Sequence, residues 1–578
     1  MKINRLYIYL IFFLPLLFIN CRKDSDKFVP NNDSGGKYSS TVSGYVYDEA
    51  QQLVVGADVE SGGKRTTTNS EGFFVIKDVQ SNEKLSVIIQ KAGYFKGCRT
   101  LFISKGGIND VKMTLLKKEF LQSFSASTGG KVSLNDKITI DFPANAIVNS
   151  SGASYSGVVK VAMKYLNPTE SSIASIMPGA LVGTDKNASQ KALESYGMVG
   201  VELEDESGQS LQIKANNFAT LSVLIPDNLL QSAGKTIPLW SFDYTTGLWK
   251  EEGEATLDGK RYVGKVNHFS FWNCDVSNER LFLSGKVINE NGQPFSVKVK
   301  LINQTTKAEG YGYTNLNGEF GGIVPKNVKF SMKIYDYCNN LLYEQEIGPF
   351  NSDEVLTPIT LKIPTYNLTV SGIALNCKKE VLKNGIVTVY SESGYRNYTF
   401  TNDKGEFNVS ILNCAFSKIY YTIYDIDNLK ISNEQFISVV TGNIYLGNID
   451  VCNSIDEYIK VHSTSGSIDT VLINNLKVKV DTLKLNINAG LNSSFNLLTN
   501  DIKNSSTSID ITNFIFVNSK NYFFSTFNKP PTENIINFKI LPVNLGEYYE
   551  GDFKINNILK EGTQEYHDFS GSFRIKKK

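Results

Sequence analysis

The sequence predicts an all-β chain of serial β-sandwich domains with no large helical domain. Three observations support this prediction. A strand-and-turn unit occurs three times along the chain. Short runs of alternating apolar and polar residues, such as 297–301, lie between turn signals rich in Gly, Asn and Asp. Tyr and Phe contribute 29 and 34 residues, which favours strands, and no long segment has a helical period.

The first residues predict export from the cytoplasm. Lys2 and Arg5 form a short basic segment, and residues 6–19 that follow are apolar. As a helix that run would reach about 21 Å, short of a bilayer core of roughly 30 Å, and Pro15 interrupts it. We therefore interpret residues 1–20 as a signal peptide rather than a membrane span.

Cys21 comes directly after the signal peptide. A cysteine at this place resembles the bacterial lipobox, and residues 22–26, basic and then acidic, resemble the tags of surface lipoproteins in Bacteroidetes-type bacteria. The resemblance implies lipidation at Cys21 and a lipid-anchored, surface-exposed position on the bacterial outer membrane. The alternative is a soluble secreted protein with an incidental cysteine. Residues 21–39 are polar and rich in Gly, Ser and Asn, so we expect a flexible tether.

Length and net charge limit the number of domains and the classes of partner that the rest of the chain can have. The 558 residues after the signal peptide (578 − 20) predict four or five domains at roughly 100–150 residues per domain. The net charge is +1, and loss of Lys2 and Arg5 leaves −1. Without a basic or acidic surplus, neither a nucleic-acid partner nor a polycation is predicted.

The repeated unit has two anchors. The first is a strand with a central glycine, and the second is a turn in which Asn and Gly precede a Phe. The first anchor occurs at 42–46, 283–287 and 370–374, and the second at 68–73, 314–320 and 401–407. Asn and Gly supply the left-handed conformation of a tight turn, so we expect a positive φ angle at Gly72, Gly318 and Gly405, with the following Phe in the core.

These units resemble the carboxypeptidase regulatory-like domain, a transthyretin-like or Ig-like β-sandwich. The resemblance covers residues 40–119, 279–364 and 365–454 and weakens in that order. It implies a non-catalytic module that accompanies peptidases, transporters and adhesins. The chain does not have the residues of a zinc peptidase, because none of its three histidines, at positions 268, 462 and 567, has a metal-binding spacing. We therefore predict no metal and no cofactor.

Residues 120–278 differ from the repeats and contain all three tryptophans, Trp240, Trp249 and Trp272. The segment looks like the ZU-five-type sandwich of ankyrins and netrin receptors, and closer still like segments of cartilage intermediate layer protein and of the death-domain protein PIDD. The tryptophans are explained either by a packed core or by a ligand, and a core needs no further assumption.

The tripeptide His268-Phe269-Ser270 resembles the autoproteolysis site of the PIDD version of this domain. The resemblance implies that Ser270 attacks the carbonyl of Phe269, with His268 as the nearby base. In a regular strand His268 and Ser270 would share one face, with Phe269 and Phe271 buried on the other. The alternative is a core strand with a hydrogen-bonded histidine.

The sequence does not determine which cysteines pair in disulfides. Cys98, Cys274, Cys338, Cys377, Cys414 and Cys452 contain no CxxC motif and allow 15 pairings. The last three fall in one predicted domain, so at most two of them could pair within it. Residues 455–578 are strand-like and predict a β-domain of unknown family.

These observations predict a non-enzymatic surface protein that presents the loops of its sandwiches as a binding scaffold or adhesin, with an unknown protein or glycan ligand. Two alternatives remain at this stage. One is a surface protein that cleaves itself between Phe269 and Ser270. The other is an accessory component that binds glycans or nutrients for an outer-membrane system. Carboxylate pairs such as Glu202/Glu204 and Glu251/Glu252 are expected to be solvated surface groups.

Overall fold

The structure is a computed structural model. It describes residues 38–454, apart from short gaps at 70, 82–83, 103–107, 363–366, 392–395, 413, 415–416, 426 and 439–441, and the strand segments beyond 454. Cys21, the signal peptide and the tether lie outside the described residues. The described chain is almost entirely β-structure, and the prediction of serial β-sandwiches is confirmed.

The first sandwich packs a three-stranded sheet, β4-β1-β7, on a four-stranded sheet, β3-β2-β5-β6. Its inward residues alternate along each strand with outward ones; Val42 and Val46 of the first strand, for example, are fully buried. The strands are β1 (Tyr38–Asp48), β2 (Asp58–Ser61), β3 (Lys64–Thr67), β4 (Phe73–Ser81), β5 (Lys84–Gln90), β6 (Gly97–Phe102) and β7 (Ile108–Leu115).

The second sandwich is larger, and its 13 strands form one continuous hydrogen-bonded sheet that folds over two cores. It also contains a short helix, α1 (Ile173–Ile176), and a 3-10 turn at Asp227–Ser232. Its strands are β8 (Gln122–Ser125), β9 (Gly130–Leu134), β10 (Ile138–Phe142), β11 (Ile147–Asn149), β12 (Val158–Leu166), β13 (Val182–Thr184), β14 (Gln190–Glu204), β15 (Ser210–Ile213), β16 (Ala219–Leu224), β17 (Thr236–Asp243), β18 (Leu248–Asp258), β19 (Arg261–Val266) and β20 (Phe271–Asn278).

The third and fourth sandwiches repeat the arrangement of the first. The strands of the third are β21 (Arg280–Asn289), β22 (Lys298–Asn303), β23 (Glu309–Tyr313), β24 (Glu319–Pro325), β25 (Phe330–Tyr335), β26 (Leu341–Ile347), β27 (Glu354–Val355) and β28 (Ile359–Leu361). Those of the fourth are β29 (Asn367–Asn376), β30 (Ile386–Ser391), β31 (Arg396–Phe400), β32 (Glu406–Leu412), β33 (Lys418–Asp425), β34 (Lys430–Ile431), β35 (Gln435–Ser438), β36 (Gly442–Val451) and β37 (Asn453–Ser454).

All three repeats share one topology. The opening strand, β1, β21 or β29, pairs antiparallel with the strand after the turn motif and parallel with the closing strands of its unit. The repeated glycine of the opening strand lies directly opposite the phenylalanine two residues after the turn glycine, as Gly285 opposite Phe320 and Gly372 opposite Phe407. A Cβ atom at Gly285 or Gly372 would lie 2.6 or 2.9 Å from that ring, so the missing side chain makes room for it and the two anchors recur together. In the first sandwich the residue opposite the glycine is Phe74, so the expectation that Phe73 enters the core of its own unit is wrong.

The turn motif also has a common set of hydrogen bonds. In the third sandwich the side-chain oxygen of Asn315 accepts from the backbone N–H groups of Asn317 and Glu319 at 2.9 Å each. The Thr314 hydroxyl accepts from the Val297 N–H at 2.9 Å and donates to the Phe295 carbonyl. Asn69 and Asn402 form the same pair of contacts in the other two units. The residues that recur in the sequence are therefore the ones whose hydrogen bonds stabilise this turn.

The predicted positive φ angles are confirmed at 63° for Gly72 and 74° for both Gly318 and Gly405. At Gly318 a Cβ atom would also lie 2.3 Å from the carbonyl oxygen of Val287. Gly318 is therefore required for two reasons, the backbone conformation and the closeness of the opening strand.

The described strands of the C-terminal domain form a ten-stranded sheet in which β46 pairs with β44, β45 and β47. The strands are β38 (Tyr458–Ser463), β39 (Asp469–Leu472), β40 (Lys477–Asp481), β41 (Lys484–Ala489), β42 (Phe495–Thr499), β43 (Ser508–Val517), β44 (Phe523–Ser525), β45 (Ile535–Ile540), β46 (Tyr548–Lys560) and β47 (Tyr566–Lys576).

The first sandwich packs against the fourth through its outward face. Tyr45 and Phe73, which point away from the first core, form one buried cluster with Ile386, Tyr398 and Tyr424 of the fourth sandwich. The hydroxyl of Tyr45 donates to Thr388 at 2.9 Å, and that of Tyr398 donates to Asp110 at 2.6 Å. The units are therefore serial in sequence but packed side by side.

The opposite sheet of the first sandwich packs against the second. Phe95 and Cys98 share a buried cluster with Trp240 and Trp249. The hydroxyl of Tyr244 donates to the Lys96 carbonyl at 2.7 Å. The tryptophans thus lie in a packed core, and this core crosses a domain boundary.

The third sandwich is joined to the second and the fourth. Glu194 of the second sandwich accepts hydrogen bonds from Asn303 at 2.8 Å and Thr306 at 2.9 Å. A disulfide joins Cys338 of the third sandwich to Cys414 of the fourth. Cys414 therefore pairs outside its own unit, which sequence separation alone could not indicate.

Two glycine substitutions should separate the cost of backbone conformation from the cost of crowding. Gly292 has a φ angle of 73°, and a Cβ atom there would meet nothing within 4 Å. We expect Gly292→Ala to destabilise the protein by about 1 kcal/mol and Gly318→Ala to destabilise it more, because only the latter also collides with Val287. Chemical denaturation measures both, and equal losses would contradict the crowding argument.

Candidate functional site

The predicted cleavage tripeptide lies between two strands rather than within one. Strand β19 ends at Val266 and β20 begins at Phe271, so residues 268–270 are irregular. Phe269 and Trp272 pack in one core of the second sandwich, whereas Phe271 packs in the other. The expectation that Phe269 and Phe271 share a buried face is therefore wrong, because the chain changes the direction of its side chains at this irregular segment.

His268 is bound to a carboxylate. Its Nε2 atom lies 2.7 Å from a carboxylate oxygen of Glu252, and its ring lies 4.9 Å from the ring of Trp272. Glu252 also accepts from the hydroxyl of Ser241 at 2.9 Å and pairs with Lys250. Burial alone would favour the neutral acid, but the hydrogen bonds from Lys250, His268 and Ser241 outweigh it and lower the pKa of Glu252 to about 2.

The backbone of Phe269 is held by one side chain, that of Gln212 in β15. The Gln212 Oε1 atom accepts from the Phe269 N–H at 2.9 Å, and its Nε2 atom donates to the Phe269 carbonyl at 2.7 Å. The neighbouring carbonyls are also bound: that of His268 accepts from the Trp272 indole at 3.0 Å, and that of Ser270 from the Val201 N–H at 3.0 Å. The tripeptide is thus fixed at every carbonyl.

Ser270 is not aligned by His268 in this structure. Its hydroxyl donates to the carbonyl of Phe271 at 3.3 Å, and no hydrogen bond joins His268 to Ser270 in the described part of the chain. The structure therefore brings the three residues of the motif together with a carboxylate behind the histidine and an amide on the carbonyl, without the base-to-nucleophile contact.

The site contains two residues that the sequence did not single out for it, Gln212 and Glu252. Glu252 appeared only as one of several carboxylates expected to be solvated. In the structure these carboxylates are partly buried and paired: Lys118 bridges Glu202 and Glu204, and Lys186 lies 3.4 Å from Glu251. That expectation was wrong because long-range partners, invisible in a local motif, cover these acids.

No group of three or more His, Cys, Asp or Glu residues among the described residues is placed to hold a metal ion. Likewise, no helix in that part of the chain is long and apolar enough to span a bilayer. Cys98 and Cys274 are buried thiols, and burial raises the pKa of Cys98 to about 12, so neither is a reactive thiolate at neutral pH.

No protein-family model matches the chain. Over 249 residues the chain is 23% identical to human cartilage intermediate layer protein 1, a match that covers 41% of this chain and 20% of that protein. Human cartilage intermediate layer protein 2 is 27% identical over 146 residues, 24% of this chain and 12% of that protein. The chain thus spans about a fifth of the length of the curated relatives it matches. The resemblance to cartilage intermediate layer protein is therefore confirmed as a similarity of low identity over part of the chain.

Solved structures of pilins show weak overlaps. The shaft pilin SpaA of Lactobacillus rhamnosus GG is 11% identical, with a TM-score of 0.17 over 30% of this chain and 98% of that chain. A streptococcal ancillary pilin is 10% identical, with a TM-score of 0.13 over 38% of this chain and 92% of that chain. TM-scores of this size carry no argument.

The Glu252 network predicts a specific dependence of stability on pH. We expect Glu252→Gln to lower the free energy of unfolding by about 1–3 kcal/mol at neutral pH. The carboxylate contributes only while ionised, so its stabilisation is present above the ordinary pKa of 4.5 and is lost as the pH falls towards 2. The gap between variant and wild type should therefore close over that range.

Denaturation curves at a series of pH values measure this gap. Glu254→Gln, an exposed carboxylate in the same strand β18, is the matched control and should follow the wild type at every pH. A gap for Glu252→Gln that stays constant down to pH 2 would contradict the assignment.

Proposed function

We propose that this chain is a non-enzymatic scaffold or adhesin-like protein of the bacterial cell surface, anchored to the outer membrane through a lipid on Cys21. One observation carries the proposal: the second, third and fourth sandwiches are packed side by side with the first, through buried aromatic clusters and cross-domain hydrogen bonds. Such a body presents loops at fixed relative positions, which suits the binding of an extended protein or glycan.

The Cys338–Cys414 disulfide supports a location outside the cytoplasm. Structural disulfides persist in oxidising compartments and are rare where glutathione keeps thiols reduced. The signal-like residues 1–20 and the position of Cys21 point the same way.

The matched relatives are named for a layer of cartilage, which fits a structural role. An accessory component that binds glycans or nutrients in an outer-membrane system remains the alternative of the same class. A glycan array probed with the mature protein separates the two: a scaffold of protein partners retains no glycan, and a glycan-binding component retains a defined set.

The anchor is tested by Cys21→Ser. We expect this variant to move from the membrane fraction to the soluble fraction, since acyl chains contribute roughly 0.8 kcal/mol per buried CH₂ group to membrane binding. Cys377→Ser, which leaves position 21 intact, should stay in the membrane fraction. Wild-type cells should also be labelled, without lysis, by antibody raised against the sandwiches. Unchanged partitioning of Cys21→Ser would show that the lipid anchor is wrong.

We propose self-cleavage between Phe269 and Ser270 as a second candidate function. The contact that favours it is the Gln212 amide, which donates to the Phe269 carbonyl at 2.7 Å. A donor at this oxygen would stabilise the negative charge that develops when a hydroxyl attacks the carbonyl. Rotation of the Ser270 side chain away from the Phe271 carbonyl would have to precede the attack.

A denaturing gel tests self-cleavage. Cleavage would give residues 21–269 and 270–578, about 27 kDa and 34 kDa at roughly 110 Da per residue. Ser270→Ala should give a single full-length band, whereas Ser277→Ala, a serine in the adjoining strand β20, should be cleaved like the wild type. A single full-length band from wild-type protein after prolonged incubation would exclude this function.

A further inference from the structure

A cavity of about 290 Å³ lies where the first, second and third sandwiches meet. It runs from the edge strands β6 and β7 of the first sandwich into the space between the two sheets of the third, beside β23 and β24. We call it the junction cavity and define it by Arg99, Lys112, Met177, Gly312 and Gly322, all of which line it.

The cavity exists because three inward positions of the third sandwich are glycines. Gly312 and Gly310 lie opposite Val299 and Leu301, which face the core of that sandwich, so they face inward too. Gly322 lies opposite the buried Leu283 and also faces inward. A Cβ atom at any of the three glycines would meet nothing within 4 Å.

The other two repeats fill the same positions. Gly322 comes four residues after the turn glycine Gly318, and the residues four after Gly72 and Gly405 are Ile76 and Val409. Both are core side chains, 4% and 3% exposed. Six residues before the turn glycine, Gly312 corresponds to Thr66 and Thr399 in the same way. The third sandwich therefore lacks side chains that pack in the cores of the first and fourth sandwiches.

The first-sandwich side of the cavity has an uncompensated positive charge. Arg99 lies on the edge strand β6, is half-buried and donates one hydrogen bond among the described residues, to the Met177 carbonyl at 3.1 Å. Burial lowers the pKa of its guanidinium. None of the carboxylates that the structure describes forms an ion pair with Arg99. A guanidinium has five N–H donors, so most of those on Arg99 have no acceptor among the residues that the structure describes.

The other charged groups of the cavity are each paired or hydrogen-bonded within the protein. Lys112 bonds to the hydroxyl of Tyr337 and lies near Asp110, which accepts from Tyr398. Glu309 pairs with Lys300 at 2.7 Å, and Glu319 accepts from Asn315 at 3.0 Å. Arg99 is therefore the charge that a ligand would meet.

We propose that the junction cavity binds a small amphipathic monoanion, an aliphatic carboxylate, with its carboxylate on Arg99 and its chain between the sheets of the third sandwich. The planar guanidinium matches a carboxylate in geometry and charge. Leu283, Val299 and Phe320 supply apolar walls for the chain. This activity goes beyond the surface scaffold and does not depend on what the scaffold binds.

Calorimetric titration of the mature protein tests the proposal with three probes that share one alkyl chain: octanoate, 1-octanol and octyltrimethylammonium. We expect saturable binding of octanoate below about 1 mM, about tenfold or more weaker binding of octanol, and none of the cation. No binding of octanoate at that concentration, or equal affinities for all three, would overturn the proposal.

Two variants locate the site. Gly322→Val gives the third sandwich the residue of the fourth and should abolish octanoate binding while the melting temperature stays equal or rises, because the space is open. Arg99→Gln should reduce the affinity for octanoate to that for octanol. Lys96→Gln, a cation of the same sandwich that does not line the cavity, is the control and should bind like the wild type. Undiminished binding in folded Gly322→Val would place the ligand elsewhere.

A separate observation concerns Cys377 and Cys452, which follow the last paired residues of β29 and β36. Asn376 lies beside Val451 in this parallel pair, and the Cys377 thiol contacts the Val451 carbonyl at 3.6 Å. Neighbouring strands are about 4.8 Å apart, within the Cα separation of a disulfide. The hydrogen bond to the Cys377 thiol is the main cause that raises the pKa of the Cys452 thiol to about 11.

We infer that Cys377 and Cys452 form a second disulfide in an oxidising compartment. An oxidant disulfide takes the two electrons. One cysteine thiolate attacks it and forms a mixed disulfide with release of one thiol, and the second cysteine attacks the mixed disulfide at the protein sulfur and releases the other thiol, so that both S–H bonds are lost and one S–S bond forms. Peptide mapping after treatment with oxidised glutathione should recover residues 377 and 452 in one cross-linked species, absent in Cys452→Ser. Alkylation of both thiols after that treatment would overturn the inference.

Discussion

The fold depends on the outward faces of the first sandwich, which are apolar on both of its sheets. Tyr45 and Phe73 on one sheet, and Phe95 and Cys98 on the other, could not stay exposed to water without a large free-energy cost. The fourth sandwich covers the first pair and the second sandwich covers the other. The third unit also contacts the first, where Lys112 bonds to the hydroxyl of Tyr337. The disulfide and the Glu194 contacts link the third unit to the fourth and to the second.

The sequence was sufficient for the local structure of the repeats. The recurring Thr, Asn and Gly residues define a turn whose Asn hydrogen bonds are made within a few residues. The positive φ angle of each turn glycine could therefore be predicted from the sequence. The lateral packing could not be predicted, because nothing local distinguishes an outward Tyr45 covered by a neighbour from one exposed to solvent. The pairing of Cys414 with Cys338 follows from that packing and was hidden for the same reason.

The candidate cleavage site was also predicted only in part from the sequence. Its three residues could be named from the sequence, and the structure places them in a segment of the second sandwich whose carbonyls are all hydrogen-bonded. The strand alternation assumed for them was wrong, because Phe269 and Phe271 enter two different cores and the backbone must leave the regular strand between them. Gln212 and Glu252 come from distant strands, at separations of 57 and 16 residues from their partners, and carry no local signature.

The disulfide between the third and fourth sandwiches also decides how the molecule would carry a mechanical load. Cys338 and Cys414 are 76 residues apart and close a covalent loop that contains the end of one sandwich, the connection and the first strands of the next. A force applied between the two ends of the chain passes through the sulfur bridge and bypasses that loop. The junction between these two units therefore cannot be extended by stretching its connection, and under tension the polypeptide on either side of the bridge has to yield first.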